Sequence, residues 1–159
     1  MPCLTAILHT HNDALRIARA IESLRPCDEV LVVDHGSSDA TCRIAQAFGA
    51  RVIAAAEGTL YDDFQDAQQN WIFRLLPTES LSEALEASIH EWKMLDDVFI
   101  AEKMAYKVGI EEETSGGWIT HAPEVRLIHR LFANREQPNA LVQAESTLLE
   151  GHLLRFSLP

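Results

Sequence analysis

Apolar and polar positions along residues 4–93 switch repeatedly between a strand-like and a helix-like period. Leu4-Thr5-Ala6-Ile7-Leu8-His9 is a short apolar run that ends in polar Thr10-His11-Asn12-Asp13, the pattern of a strand and its exit loop. Ala14, Ile17, Ala18, Ile21 and Leu24 then recur at helical spacing, with Asn12 placed to cap the helix and Pro26 just beyond its end. Glu29-Val30-Leu31-Val32-Val33-Asp34 is a nearly continuous apolar run, as expected of a strand covered on both faces. His35-Gly36-Ser37-Ser38 breaks it. The next helix carries Thr41, Ile44, Ala45 and Phe48 on one side and stops at Gly49, a residue suited to a left-handed helix end. Arg51 to Ala55 reads as a third strand, polar Tyr61 to Asn70 as a helix, and Trp71 to Leu76 as a fourth strand. Pro77-Thr78-Glu79 ends that strand. Ser80 and Glu83 form a capping-box pair ahead of a helix that places Leu81, Ala84, Leu85, Ile89 and Trp92 on one face.

This order predicts an α/β fold, a three-layer α/β/α arrangement around a mostly parallel sheet. Its first three strands should be parallel and end at Asn12, Asp34 and near Ala55. Val98 to Tyr106 and Val125 to Leu131 read as further strands, separated by an acidic turn from Glu111 to Gly117. At 159 residues the chain suits one domain and is far too short for a (β/α)₈ barrel of about 250 residues. Its net charge of −11 repels phosphate backbones, which argues against nucleic-acid binding. No stretch reaches the ~20 apolar residues of a membrane span, and no basic region precedes an apolar run at the N-terminus. Cys3, Cys27 and Cys42 lie in no CxxC spacing and suit reduced thiols of a cytoplasmic protein, with Cys3 and Cys42 expected to pack as small apolar groups.

Ligands of open α/β sheets bind outside the carboxyl ends of the strands. That rule nominates Thr10-His11-Asn12-Asp13, Asp34-His35-Gly36-Ser37 and Pro77-Thr78-Glu79. A strand-end Asp can accept hydrogen bonds from a nucleobase or ribose, and Gly36-Ser37-Ser38 lets a ligand approach the backbone. Ser37-Ser38-Asp39 also has the composition of an ordinary helix cap. His9 and His11, alternate residues of a strand with Asp34-His35 nearby, resemble the ligand pair of a small metal-dependent hydrolase. Trp92 fits the core face of its helix, whereas Trp118 suits either packing or stacking on a sugar.

Residues 4–93 resemble the N-terminal half of a family-2 glycosyltransferase of GT-A fold, and in particular the short bacterial enzymes that decorate lipopolysaccharide cores. Thr10-His11-Asn12-Asp13 is similar to that family's Thr-x-Asn-Glu, and Glu29 through Thr41 to its Glu-Ile-Val-Val-Val-Asp-x-Gly-Ser-Thr-Asp-x-Thr signature. Gly116-Gly117-Trp118, Pro123 through Arg130 and Ala144-Glu145 resemble later segments of the subgroup. The resemblance implies a single domain over 1–159, with a nucleotide-binding half at 1–93 and a reduced acceptor half at 94–159. It implies a nucleotide-diphospho-sugar donor held by Thr10, His11, Asn12, Asp13, Asp34, Gly36, Ser37 and Asp39, and a glycan or lipid-linked acceptor. Asp13 and Asp34 should flank the nucleotide pocket.

One segment departs from the family pattern. The family's metal-binding Asp-x-Asp, often followed by Glu, aligns with Leu76-Pro77-Thr78-Glu79, so Glu79 is the one acid left to hold Mn²⁺ or Mg²⁺. A hard cation wants several oxygen ligands, so divalent metal should contribute little here. Inverting sugar transfer also needs a carboxylate base, for which Glu124, in the position of the Pro-Asp-like motif, is the first candidate and Glu145 the second. The missing aspartates equally suit a non-catalytic module that senses nucleotides or contacts a protein.

Overall fold

The computed structural model describes residues 1–56, 62–96, 100, 103–133 and 146–157. Eight strands form one mixed sheet in the order β3-β2-β1-β4-β7-β6-β8-β5. In chain order these are β1 (Leu4–Thr10), β2 (Glu29–Asp34), β3 (Arg51–Ala54), β4 (Trp71–Arg74), β5 (Glu79–Leu81), β6 (Ala105–Thr114), β7 (Gly117–His129) and β8 (Thr147–Arg155). The helices with both ends among the described residues are α1 (Ile17–Glu22), α2 (Thr41–Ala47), α3 (Glu83–Lys93) and the short α4 (Arg130–Ala133). β1 pairs in parallel with β2 and β4, β2 with β3, and β6 with β8. β7 runs antiparallel to β4 and β6, as β5 does to β8.

Chain direction explains the layers. The steps from β1 to β2 to β3 move one way along the sheet, so right-handed crossovers put α1 and α2 on the same face. The step from β3 back past β1 to β4 reverses direction and sends its connection to the other face. Accordingly Leu4, Ala6 and Leu8 of β1 join Ile17, Ala20 and Ile21 of α1, Ala45 of α2, and Leu85, Ile89 and Trp92 of α3 in one core. Ile7, Leu31, Val33 and Ile72 face the opposite core, which is covered by Phe64, Ala67 and Phe132. The alternation of side chains along a strand is what divides them.

Several expectations change. The polar segment 62–70 forms turns rather than a helix, because its backbone bonds to other elements. Glu29 accepts from the Gln68 N–H (3.0 Å), and Arg130 donates to the carbonyls of Phe64 and Ala67. Ser82, not Ser80, caps α3, its hydroxyl accepting from the Leu85 N–H at 3.2 Å; Ser80 lies within β5. Asn12 does not cap α1, whose first N–H groups at Arg16 and Ile17 are met by the Asp13 carbonyl. The strand expected over Val98 to Tyr106 is strand only from Ala105, where β6 begins; Ile100 is helical, and 98–99 and 101–102 lie outside the described residues. The acidic stretch Glu111 to Thr114 is not a turn but the end of β6. Its pairing with Gly117 to Thr120 carries the carboxylates on an outer ribbon, where Glu112 meets His121 at 2.6 Å. β5 and β8 were not anticipated. Phe48 is exposed, Cys3 is exposed, and Cys42 is half-buried, so neither thiol is simple core filling.

Candidate functional site

The strand order reverses between β1 and β4, so the carboxyl ends of β1, β2 and β4 meet at a topological switch point. Register places Thr10 beside Asp34 there. The turns leaving β1 and β2 are tied into one mesh. The Asn12 N–H donates to Ser37 Oγ (2.9 Å), and the Ser38 N–H donates to Asn12 Oδ1 (2.8 Å). The Asp13 N–H donates to Thr41 Oγ1 (2.8 Å), and the Ala14 N–H to Asp39 Oδ2 (3.2 Å). Thr10 Oγ1 and the His11 N–H both donate to Asp13 Oδ2. Asn12 holds a left-handed backbone (φ 54°), which a short polar side chain tolerates and which aims its amide across the gap.

Thr10 and Asp34 form a buried floor, while His11, Asn12, His35, Gly36, Ser38 and Asp39 make an exposed rim. Burial works against the charge of Asp34. Hydrogen bonds from the Ser37 hydroxyl and N–H, the Cys42 thiol and the Gly36 N–H outweigh it and hold the carboxyl below its usual range. The Thr41 hydroxyl does the same for exposed Asp39. Gly36 takes φ +80°, and the space its absent side chain would fill is open, so a ligand can reach the backbone there. The structure therefore brings together all of Thr10, His11, Asn12, Asp13, Asp34, Gly36, Ser37 and Asp39. Two cavities among the described residues lie elsewhere. One of about 410 Å³ is lined by Pro2, Asn70, Trp71 and His129, and one of about 220 Å³ lies between α3 and Tyr106.

Glu79 is placed where it cannot serve a cation. Its fully buried carboxylate accepts Arg126 Nη1 and Nη2 at 2.8 and 2.9 Å, Arg155 Nε and Nη2 at 3.2 and 2.9 Å, and the Leu76 N–H at 3.0 Å. Leu76 offers no side-chain oxygen. The donor set of this turn thus does not fit a divalent metal, which corrects the expectation for Glu79. Among the described residues no group of three or more His, Cys, Asp or Glu is arranged to hold a metal. His9 and His11 do not converge on one point: His9 contacts Asp63 (2.6 Å) and His35 (2.8 Å), while His11 Nδ1 donates to the His35 carbonyl (2.9 Å).

Glu124 lies on β7, near the carboxyl end of β4, and Arg126 joins it to Glu79 by bonding its Oε2 at 2.9 Å. The side chain of Glu124 is 46% exposed. Glu145 lies outside the described residues. Sequence reasoning missed Asp63, which bridges His9 and Arg74, and Arg126, which bonds the Arg74 carbonyl. Burial holds Asp63 back, but His9 and Arg74 keep its carboxyl below the usual range. No periodic signal marks either residue. Contacts over such sequence separations become visible only with the topology.

The site thus lies on a parallel β3-β2-β1-β4 unit with an antiparallel return strand, β7, and carries Asp13 in the turn after β1 and Asp34 at the end of β2. Comparison with known proteins assigns this architecture to the GT-A fold. The chain is 37% identical over 101 residues to an uncharacterized glycosyltransferase of Rickettsia felis, a match covering 56% of this chain and 33% of that one. It spans about a third of the length of the curated relatives it matches. Among solved structures, S. aureus TarS (residues 1–349) superposes with a TM-score of 0.61 at 14% identity, over 98% of this chain and 60% of that one. Glucosyl-3-phosphoglycerate synthase from Mycobacterium tuberculosis, bound to Mn²⁺ and UDP-glucose, superposes at 0.52 with 18% identity, over 67% and 43%. No protein-family profile matches the chain. The chain is a homologue of curated glycosyltransferases and has the GT-A fold. No helix among the described residues is long and apolar enough to cross a membrane.

Proposed function

We propose that this chain binds a nucleoside diphosphate sugar and serves sugar transfer to a glycan or lipid-linked acceptor. The observation that carries the reading is Asp34. It is an ionised, nearly buried acid at the end of β2, beside Thr10 at the switch point and below an open glycine backbone. Thr10, His11, Asn12 and Asp13 from one turn, and Asp34, Gly36, Ser37 and Asp39 from the other, would receive the nucleotide. The solved synthase bound to UDP-glucose supports a donor of that chemistry. In an inverting transfer a carboxylate takes the acceptor hydroxyl's proton as the oxygen attacks the anomeric carbon and the nucleoside diphosphate leaves. Glu124 is the described residue suited to that work, since Arg126 bonds its Oε2 and its other oxygen has no protein partner among the described residues. Glu145 is the alternative base.

A second reading, a nucleotide-binding or protein-binding module without transfer, is favoured by the turn after β4. On the family resemblance Leu76 and Thr78 take the places of metal-binding aspartates, and Glu79 is bonded by two arginines. Calorimetric titration of uridine and guanosine diphosphates and their sugar conjugates, in EDTA and then in Mn²⁺, tests both readings. Binding in EDTA that Asp34→Asn weakens, and that Mn²⁺ changes by less than about threefold, is the expected result. Equal binding by wild type and Asp34→Asn would remove Asp34 from the site. A roughly hundredfold tightening by Mn²⁺ would overturn the account of the turn. Release of free sugar or its transfer to an acceptor separates the enzyme from the module.

A further inference from the structure

His35, His9 and Arg74, all able to carry positive charge, stand in a row across the carboxyl ends of β2, β1 and β4. Each follows by two residues a core position, Val33, Ile7 and Ile72, so strand alternation brings them to the same face of the sheet. Asp63, on the segment that covers this face, joins them. Its Oδ2 accepts Arg74 Nε at 2.7 Å, and its Oδ1 meets His9 Nε2 at 2.6 Å. His9 Nδ1 in turn meets His35 Nε2 at 2.8 Å. Asp63 is held ionised, and a carboxylate only accepts, so His9 donates from Nε2. In the neutral pair His9 Nδ1 is then a lone pair that accepts the His35 Nε2–H. His35 keeps a bare Nδ1 with no protein partner among the described residues. Its side chain is exposed and stands next to the open backbone of Gly36, so a ligand can reach it.

A proton added at that nitrogen leaves an N–H pointing outward whichever ring holds the charge, because the bond between the rings passes it along. Asp63 offsets the charge from the far end, as an aspartate behind a histidine does in a catalytic triad. A second proton would set two cations with ring centroids 5.1 Å apart, so the pair gains one charge and not two. The site needs such a charge. Asp34 of β2 and Asp39 of the turn after it are held ionised, Asp13 adds a third acid from the turn after β1, and a diphosphate would bring more negative charge. Of the permanent cations nearby, Arg16 is turned to Asp13 and Arg74 to Asp63. The turn after β4 lacks the carboxylates that would hold a divalent ion. That leaves the histidine pair, with His11 bonded to the His35 carbonyl beside it, as the titratable source of positive charge.

We propose that the His35–His9 pair takes up one proton from solution when a nucleotide sugar binds and presents it to the diphosphate from His35 Nδ1. This rests on the reading of the site as one for a nucleoside diphosphate sugar. The outward N–H makes a charge-assisted hydrogen bond to a phosphate oxygen, the kind of bond a metal would otherwise replace. His35 is then a binding residue, while His9 and Asp63 position its ring and fix its tautomer.

The test titrates the full chain with UDP-glucose and GDP-mannose by calorimetry in EDTA, and carries forward whichever binds more tightly. Both are diphosphate diesters, which lack the second phosphate ionisation and so keep their charge between about pH 6 and 9. Titrations in HEPES and in Tris at about pH 7.5 count protons, because the two buffers absorb different heats on giving one up. Wild type should take up roughly half to one proton per nucleotide, and bind roughly tenfold more weakly at about pH 8.5 than at about pH 6.5. His35→Gln, an exposed change, should abolish the uptake and weaken binding roughly tenfold at about pH 6.5, with little loss at about pH 8.5. His35→Lys, whose charge persists across this range, should restore binding at both values without uptake. Wild-type binding without proton uptake, or with the same uptake in His35→Gln, overturns the relay and leaves the nucleotide-sugar reading standing. If neither sugar nucleotide binds between about pH 6 and 9, that reading falls and the relay falls with it.

Discussion

Replacing Glu79 by Gln should be among the most damaging single-atom changes in this protein. The carboxylate is fully buried and receives donors from Arg126, Arg155 and the Leu76 backbone. Its partners' side chains are 7% and 23% exposed, so water can replace little of what is lost. Glutamine keeps the volume but removes the charge, and it turns one of its terminal atoms into a donor facing guanidinium donors. Removing one member of a buried ion pair costs about 3–5 kcal/mol, because the remaining charge stays buried without its partner. With an m-value of about 2 kcal/mol/M, a loss of about 4 kcal/mol lowers the urea midpoint by roughly 2 M. Fluorescence of buried Trp71 and Trp92 reports the transition. Glu124→Gln is the control: its half-exposed carboxylate also meets Arg126, and its loss should cost no more than about 1 kcal/mol. If Glu79→Gln moves the midpoint by less than about 0.5 M, the carboxylate is not the fold's anchor and its availability to a cation reopens.

Acid should unfold the protein through specific carboxylates. Burial opposes the charge of Glu29, but Thr5, Arg51 and the Gln68 N–H overcome it, and Asp34 and Asp63 are depressed in the same sense. Such groups stabilise the fold fully above their unfolded values near pH 4, and the contribution is lost as pH falls through the lower folded values. Urea midpoints should therefore hold from pH 7 to about 5 and fall below about 4, with a shallower acid limb in Glu29→Gln; an unchanged limb in that variant refutes the assignment. Cys27, pushed up to about 12 by burial and by Asp28 against the opposing pull of Lys93, should resist a thiol-directed aromatic disulfide in the native protein at pH 8, while exposed Cys3 reacts. Rapid native labelling of Cys27 would contradict that environment.

The first half of the fold was legible because its signals are local. The Val30–Val33 run, the polar breaks after Thr10 and Asp34, and Gly49 with its φ of 90° each declare an element or its end within a few residues. The second half was not, because its strands owe their existence to partners far along the chain. Glu111 to Thr114 looks like a turn by composition and becomes a strand only because Gly117 to Thr120 pairs with it. β5 exists because β8 lies beside it and because Glu79 needs Arg155. At the site, the two turns were legible as polar clusters at strand ends. Their cross-links were not, since Asn12 reads as a helix cap until the left-handed backbone turns its amide toward Ser38.

The turn after β4 shows how one short segment separates two demands. Glu79 is required by packing: it joins Arg126 of β7 to Arg155 of β8 at a point no water reaches. Losing it would leave two guanidinium groups without their shared carboxylate, a cost the whole domain would bear. Leu76 is 44% exposed, and its backbone N–H, not its side chain, serves the network by donating to Glu79. Any residue but proline supplies that N–H, so the fold places no demand for an acid at this position. The same turn can therefore retain its architectural glutamate while lacking the carboxylates that a hard cation would need. An intact GT-A sheet is accordingly no guarantee of metal-assisted departure of a diphosphate, because the residues that build the turn are not those that would hold the ion.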